Sequence, residues 1–223
     1  MRRIFTGILC LLLLTVPLQA DEKYVAITFD DGPSGRYTER LLEGLRQREV
    51  KATFLLCGYR MEDFPSLTGK IYADGHEIGY HGFSHDNMSV MSRRKIAEEL
   101  EKSGVLLPEG CRPVFLRPPG GETSDAVRQV AEVRLLGILK WSVDPKDWAV
   151  HDAPQVIQRV LRTVKDGDVI LMHDMSDSSV TAALEIIDRM KEQGYQFVTV
   201  SQLAELRGEK IKPGQTYEKF PQS

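Results

Sequence analysis

Cysteine is scarce: the 223-residue chain holds three, Cys10, Cys57 and Cys111. Such a count cannot build a disulfide framework, and no Cys cluster is there to hold a metal. Basic runs are missing as well. The 29 Lys and Arg stand against 32 Asp and Glu, for a net charge of −3, a poor balance for a nucleic-acid binder. No internal repeat, low-complexity tract or linker breaks the chain, and its length suits one domain with a full core. Long apolar runs are confined to residues 8–16, a stretch short for a membrane span.

What surrounds that stretch explains it. "MRRIFTGILCLLLLTVPLQA" opens on Arg2 and Arg3 and ends on the small residue Ala20, the order of a secretory signal peptide. The expected organisation is a leader over residues 1–20 and one domain over residues 21–223. Leu18 in place of alanine leaves a retained N-terminal anchor as the alternative. Cys10 lacks the small residues before it that a lipidation site needs. Cleavage would remove two arginines and no acid, making the domain more acidic than the whole chain. The protein is expected to be a monomer, secreted or at the cell envelope, and free of the membrane after cleavage.

The rest alternates short apolar runs with amphipathic segments. "YVAITF" (24–29), "TFLL" (53–56), "EIGY" (77–80), "VFL" (114–116), "LLGILKW" (135–141), "VILM" (169–172) and "FVTV" (197–200) have the composition of buried parallel strands. Helices are expected between capping signals: Ser92 to Gly104, Asp152 with Pro154 to Gly167, and a stretch ending at Gly194 that spaces Ala182, Ile186 and Ile187 along one face. This order predicts an α/β fold with about seven parallel strands, and periodicity alone does not decide between a barrel and an open sheet. Cys57 falls at a strand's end and Cys111 ahead of one, so two separate, buried or half-buried thiols are expected. The tail from residue 208 reads as a surface extension, packed by Tyr217 and Phe220 or loose.

Parallel α/β folds place their sites beyond the carboxyl ends of the strands. Polar residues collect there in this chain. Asp30 and Asp31 follow the first strand, and "HGFSH" follows the third with His81 and His85. Arg117 in "RPPGG" follows the fourth, Asp144 and Asp147 in "SVDPKDW" the fifth, and His173 in "MHD" closes the sixth. Each has an ordinary structural explanation: turn punctuation for "DG", loop hydrogen bonds for the histidine pair, a core position for His173, a surface charge for Arg117, core filling for Trp148. His76 and His151 are expected to have no chemical role. The i, i+4 spacing of His81 and His85 nonetheless suits two metal-facing rings, and an aspartate from a neighbouring strand end would complete a His₂Asp site with an open position, as in catalytic zinc centres.

Assembled in order, "ITFDDGPS", "GHEIGYHGFSH", "FLRPPGG", "WSVDPKDW", "GDVILMHD" and "GYQFVTVSQL" make the chain closely resemble the polysaccharide deacetylase family, carbohydrate esterase family 4. The resemblance implies a distorted, incomplete (β/α) barrel and metal-dependent removal of acetyl groups from an N-acetylated glycan. By position it implies Asp31, His81 and His85 as ligands of zinc, with cobalt or manganese as alternatives. It also implies Asp30 as general base, Arg117 as its holder and His173 as general acid, tuned by an acid of "DPKDW" for which Asp144 is favoured over Asp147. Gly120, where relatives often carry an aromatic residue, would donate its N–H to an oxyanion, and Trp148 would line the sugar groove. The first expectation is N-deacetylation of N-acetylglucosamine in peptidoglycan. O-deacetylation of a plant polysaccharide such as xylan, or a non-catalytic glycan-binding module, are the alternatives.

Overall fold

The computed structural model describes residues 22–222; the expected leader, with Cys10, lies outside the described residues. The order is β1 (Lys23–Asp30), α1 (Arg36–Gln47), β2 (Thr53–Leu56), α2 (Gly58–Asp63), α3 (Pro65–Ala73), β3 (Glu77–Tyr80), α4 (Arg93–Gly104), β4 (Phe115–Leu116), α5 (Asp125–Val133), β5 (Gly137–Leu139), α6 (Ala153–Thr163), β6 (Val169–His173), α7 (Asp177–Glu192), β7 (Tyr195–Phe197), α8 (Val200–Leu206) and β8 (Thr216–Tyr217).

All named strand pairs are parallel. Seven strands run in the order β6-β1-β2-β3-β4-β5-β8, and β7 pairs beside the start of β1. The sheet curls without closing: from β5 to β6 the chain crosses by an isolated bridge, Val143 to Ile170. This is the distorted, incomplete (β/α) barrel that the resemblance implies. In β1, Val25, Ala26, Ile27 and Phe29 are all fully buried, so both faces of the strand are covered and the stretch from Val25 to Phe29 is apolar but for Thr28 rather than alternating.

The helix starts expected at Ser92 and Asp152 hold, and the helix that ends ahead of Gly194 begins with a cap at Ser176. Ser92, Asp152 and Ser176 each accept a backbone N–H of the first turn through their side chains. The last expected strand is displaced, however. Strand pairing stops at Phe197, because Thr199 Oγ1 accepts the Gln202 N–H (3.2 Å) while the Gln202 side chain accepts the Thr199 N–H (3.0 Å). That reciprocal cap starts α8 inside "FVTV". The tail is docked rather than loose. It adds β8 to the edge of β5, and Tyr217 and Phe220 are buried and stacked with centroids 5.6 Å apart. Cys57 and Cys111 are both buried and free.

Candidate active site

A cavity of about 420 Å³ opens at the carboxyl ends of the strands, lined by Asp30, Asp31, His81, His85, Gly120, Trp141, Asp144, Trp148, Leu171 and His173. Adjacent residues on a strand point to opposite faces, so two neighbouring acids would not ordinarily share a site. Here the strand ends at Asp30, and Asp31 turns into the left-handed region with φ 71°. The alternation lapses and both carboxylates reach the cavity. Aspartate tolerates that conformation better than most residues. The following Gly32 is needed for close approach, since a Cβ there would lie 2.7 Å from Asp174 Oδ1. Asp174 is itself fully buried, and that burial pushes its carboxyl up to about 6.

Asp30 and Asp31 are then differentiated by their partners. Asp30 Oδ1 accepts from Arg117 Nη1 at 2.6 Å, and its Oδ2 lies 3.8 Å from His81 Nε2. Arg117 is wholly buried at the end of β4. Its Nη1 also donates to Thr28 Oγ1 (2.8 Å), its Nη2 to the Lys140 carbonyl (2.8 Å), and its guanidinium lies 5.6 Å from the Trp141 ring centre. So many contacts fix the guanidinium as a buried charge whose counterion is Asp30. Thr28 stands two residues before Asp30 and so on the same strand face; that spacing is the signal by which it was findable.

Asp31 faces the histidines. Its Oδ1 lies 3.2 Å from His81 Nε2 and 3.0 Å from His85 Nε2, and the three donor atoms fall within 4.8 Å of one another. Burial by itself would raise the Asp31 carboxyl, but the two imidazoles outweigh it and hold the group well below the usual carboxylate range. The same contact with Asp31 raises His85. Yet Oδ1 is buried without a partner in hydrogen-bonding geometry. Two ring nitrogens and a carboxylate oxygen converging on one point, with that oxygen unsatisfied, fit a divalent cation held by Asp31, His81 and His85. His81 Nδ1 meets the Arg117 carbonyl at 2.7 Å, which fixes the ring with Nε2 inward.

His173 ends β6 with its Nε2 4.0 Å from Asp31 Oδ2. Burial by itself would lower its pKa; the hydrogen bond and charge of Asp147 prevail and push it up to about 9. The partner is Asp147, not the favoured Asp144. Asp147 is buried, and its two oxygens meet His173 Nδ1 (2.9 Å) and the His173 N–H (2.8 Å). Asp144 lines the cavity, but its Oδ1 accepts the Lys146 N–H at 2.8 Å. It caps its own turn and leaves the imidazole to Asp147. Gly120 sits on the cavity wall with φ 69°, and a Cβ there would meet nothing within 4 Å. Trp148 is 57 % exposed at the rim and is not core filling. His76 is a satisfied core residue, its Nδ1 accepting the Ala52 N–H at 3.2 Å, and His151 is exposed.

Three comparisons bear on this geometry. A family model described as polysaccharide deacetylase matches residues 18–136. A peptidoglycan-N-acetylglucosamine deacetylase of Bacillus cereus is 37 % identical over 189 residues, covering 82 % of this chain and 89 % of the relative. The peptidoglycan-N-acetylglucosamine deacetylase PgdA of Listeria monocytogenes is 35 % identical over 204 residues, 91 % of this chain; the chain spans 42 % of that relative's length. Among solved structures, a family 4 acetyl xylan esterase from Clostridium thermocellum in complex with a cobalt ion superposes with a TM-score of 0.82 at 33 % identity, covering 89 % of this chain and 100 % of that one.

Proposed function

The chain belongs to the polysaccharide deacetylase family, and from that premise we propose that it is an N-deacetylase of N-acetylglucosamine units in peptidoglycan, acting at the cell envelope. The observation that carries this reading is the division of labour among three clusters on one cavity: one acid held by an arginine, a second acid facing two histidines, and a third histidine paired with its own acid. Support for the substrate comes from the relatives, which are peptidoglycan deacetylases.

An amide is a weak electrophile with a poor leaving group, so the site must supply a strong nucleophile and a proton. A divalent cation held by Asp31, His81 and His85, for which we propose zinc, would acidify water and polarise the acyl oxygen. Asp30, kept from Asp31's task by its bond to Arg117, takes the proton of the attacking water through its inward oxygen. His173, protonated at neutral pH because of Asp147, gives a proton to the departing sugar nitrogen. The N–H of Gly120, on the cavity wall, would donate to the oxyanion that forms between them, a task that needs no side chain. Trp148 offers an exposed ring at the rim for a sugar face. The products are acetate and a free amine on the glycan.

The likeness to an acetyl xylan esterase supports a second reading, O-deacetylation on the same machinery. Acetate release measured over peptidoglycan, chitooligosaccharides and acetylxylan, with and without a chelator, separates the two. N-deacetylation predicts release from the first two substrates and its loss with chelator; release from acetylxylan alone selects the esterase. Asp30→Asn is expected to keep the cation and lose about 10²- to 10⁴-fold in turnover, whereas Asp31→Asn loses both. Full activity in Asp30→Asn overturns the assignment of the base.

A further inference from the structure

Between the two ligand histidines the chain makes a short excursion over residues 82–84. It begins at Gly82 with φ 84° and ends at His85, whose φ of 66° is a left-handed conformation that non-glycine residues adopt at a cost. The two rings are not held alike. His81 is buried and anchored through Nδ1, but the His85 side chain is 43 % exposed, so its place depends on the backbone that carries it.

That backbone is tied down from two helices. The Gly58 N–H donates to the Gly82 carbonyl (2.9 Å) and the Tyr59 N–H to the Phe83 carbonyl (3.0 Å), both from the start of α2. From α4, Ser103 Oγ donates to the Gly82 carbonyl at 3.0 Å. The approach is close: a Cβ on Gly58 would lie 2.3 Å from the Phe83 ring. The amides of the excursion converge on one atom. Glu99 Oε2 accepts the Phe83 N–H (2.9 Å), the Ser84 N–H (2.8 Å) and the Ser84 hydroxyl (2.9 Å). Glu99 is 2 % exposed on α4, beside the buried Ile96 and Leu100, where an apolar residue would suit the helix face. A carboxylate in such a place is costly unless its hydrogen bonds repay it. Its other oxygen lies 3.6 Å from Lys95 Nζ.

The geometry points to Glu99 as the positioning residue of the metal-ligating loop: by gathering the Phe83 and Ser84 amides it preassembles His85 opposite His81 and Asp31. Glu99 touches neither substrate nor cation. This inference rests on the metal-centre reading above, and it concerns how a cation finds its ligands already in place. Groups behind a ligand commonly matter to affinity as much as to fold.

The test is the affinity of the full chain for Zn²⁺, measured by competition with a chromophoric chelator, alongside thermal unfolding of the metal-stripped protein. Glu99→Ala is expected to raise the Zn²⁺ Kd by about 10- to 100-fold, with turnover recovering at saturating Zn²⁺. Glu99→Gln keeps an oxygen for the three donors and is expected to lose less. Thr199→Ala, which removes the cap of α8, lowers the melting temperature and leaves the Kd unchanged, separating positioning from general destabilisation. Glu99→Ala binding Zn²⁺ as tightly as the wild type overturns the inference, whatever its melting temperature. Should Glu99→Ala not fold, Glu99→Gln and Ser84→Ala decide: a raised Kd in either supports the inference, and wild-type affinity in both overturns it. A wild-type chain that binds no Zn²⁺ instead overturns the metal-centre reading.

Discussion

At the amino end of the sheet His76 stands just ahead of β3; at the carboxyl end His173 closes β6. Both rings are largely buried, yet they are tuned in opposite directions. His76 accepts the Ala52 N–H and lies edge-on to Phe54 at 5.3 Å; burial, helped by the charge of Lys51, brings its pKa down to about 4. His173 meets the buried carboxylate of Asp147, and its pKa rises to about 9. Burial penalises a charged imidazole in both places, so the partner decides. The amino end keeps its histidine neutral and locks elements together: Thr53 Oγ1 accepts the Val200 N–H at 2.9 Å, and Glu77 accepts the Ser201 N–H at 3.1 Å. At the carboxyl end, acids and imidazoles stand close enough to differ in protonation, which proton transfer requires.

The comparison breaks most sharply at Asp147. Asp147→Asn removes the charge that keeps His173 protonated, and the loss of a tuned acid is expected to cost about 10²- to 10⁴-fold in kcat near neutral pH. In the proposed mechanism the active form of His173 is the protonated one. In the wild type the alkaline limb of the kcat profile should therefore fall near a pKa of about 9, and in Asp147→Asn it should move to lower pH. An unmoved limb assigns it to another group. At the other end, His76→Asn keeps an acceptor for Ala52 and removes the titration. Because the folded pKa of His76 lies below its unfolded value, the unfolded chain binds more protons between pH of about 6.5 and 4. Stability is full above the unfolded pKa, falls with pH through that window, and levels off below it. The stability lost to this group alone is at most about 3 kcal/mol. Urea unfolding at pH 7 and pH 4.5 should show a smaller acid loss in His76→Asn, with kcat untouched at neutral pH. The smallest effect belongs to Thr199→Ala: about 1 kcal/mol of stability by denaturant titration, with no change in kcat.

Much of this site was legible before any fold was built. Asp30, Asp31, His81, His85, Arg117 and His173 each stand at the end of an apolar run, and β-strands of a parallel sheet end together. Asp144 and Asp147 were not separable in that way. Both lie in one loop after β5, and which of them reaches His173 depends on the turn that Asp144 makes with Lys146 and on the burial of Asp147 against β6. The end of β7 was misplaced for a related reason. "FVTV" is made only of aromatic and β-branched residues, but a reciprocal cap between Thr199 and Gln202 outweighs strand propensity. The edge strand β8 is two residues long, too short to carry a pattern, and it exists because β5 presents an open edge.

By itself the sequence determined the parallel α/β class, the carboxyl-end location of the chemistry and the residue types that perform it. Those follow from local periodicity and from spacing along the chain, which need no knowledge of distant contacts. Only the tertiary structure decided the contacts on which the proposed division of duties rests. The left-handed turn at Asp31 aims neighbouring acids into one cavity, Arg117 holds Asp30, Asp147 rather than Asp144 pairs with His173, and Glu99 on α4 gathers amides of the loop that carries His85. The last three are hydrogen bonds between segments apart in sequence, where direction and distance within a few tenths of an ångström select one acid over its neighbour.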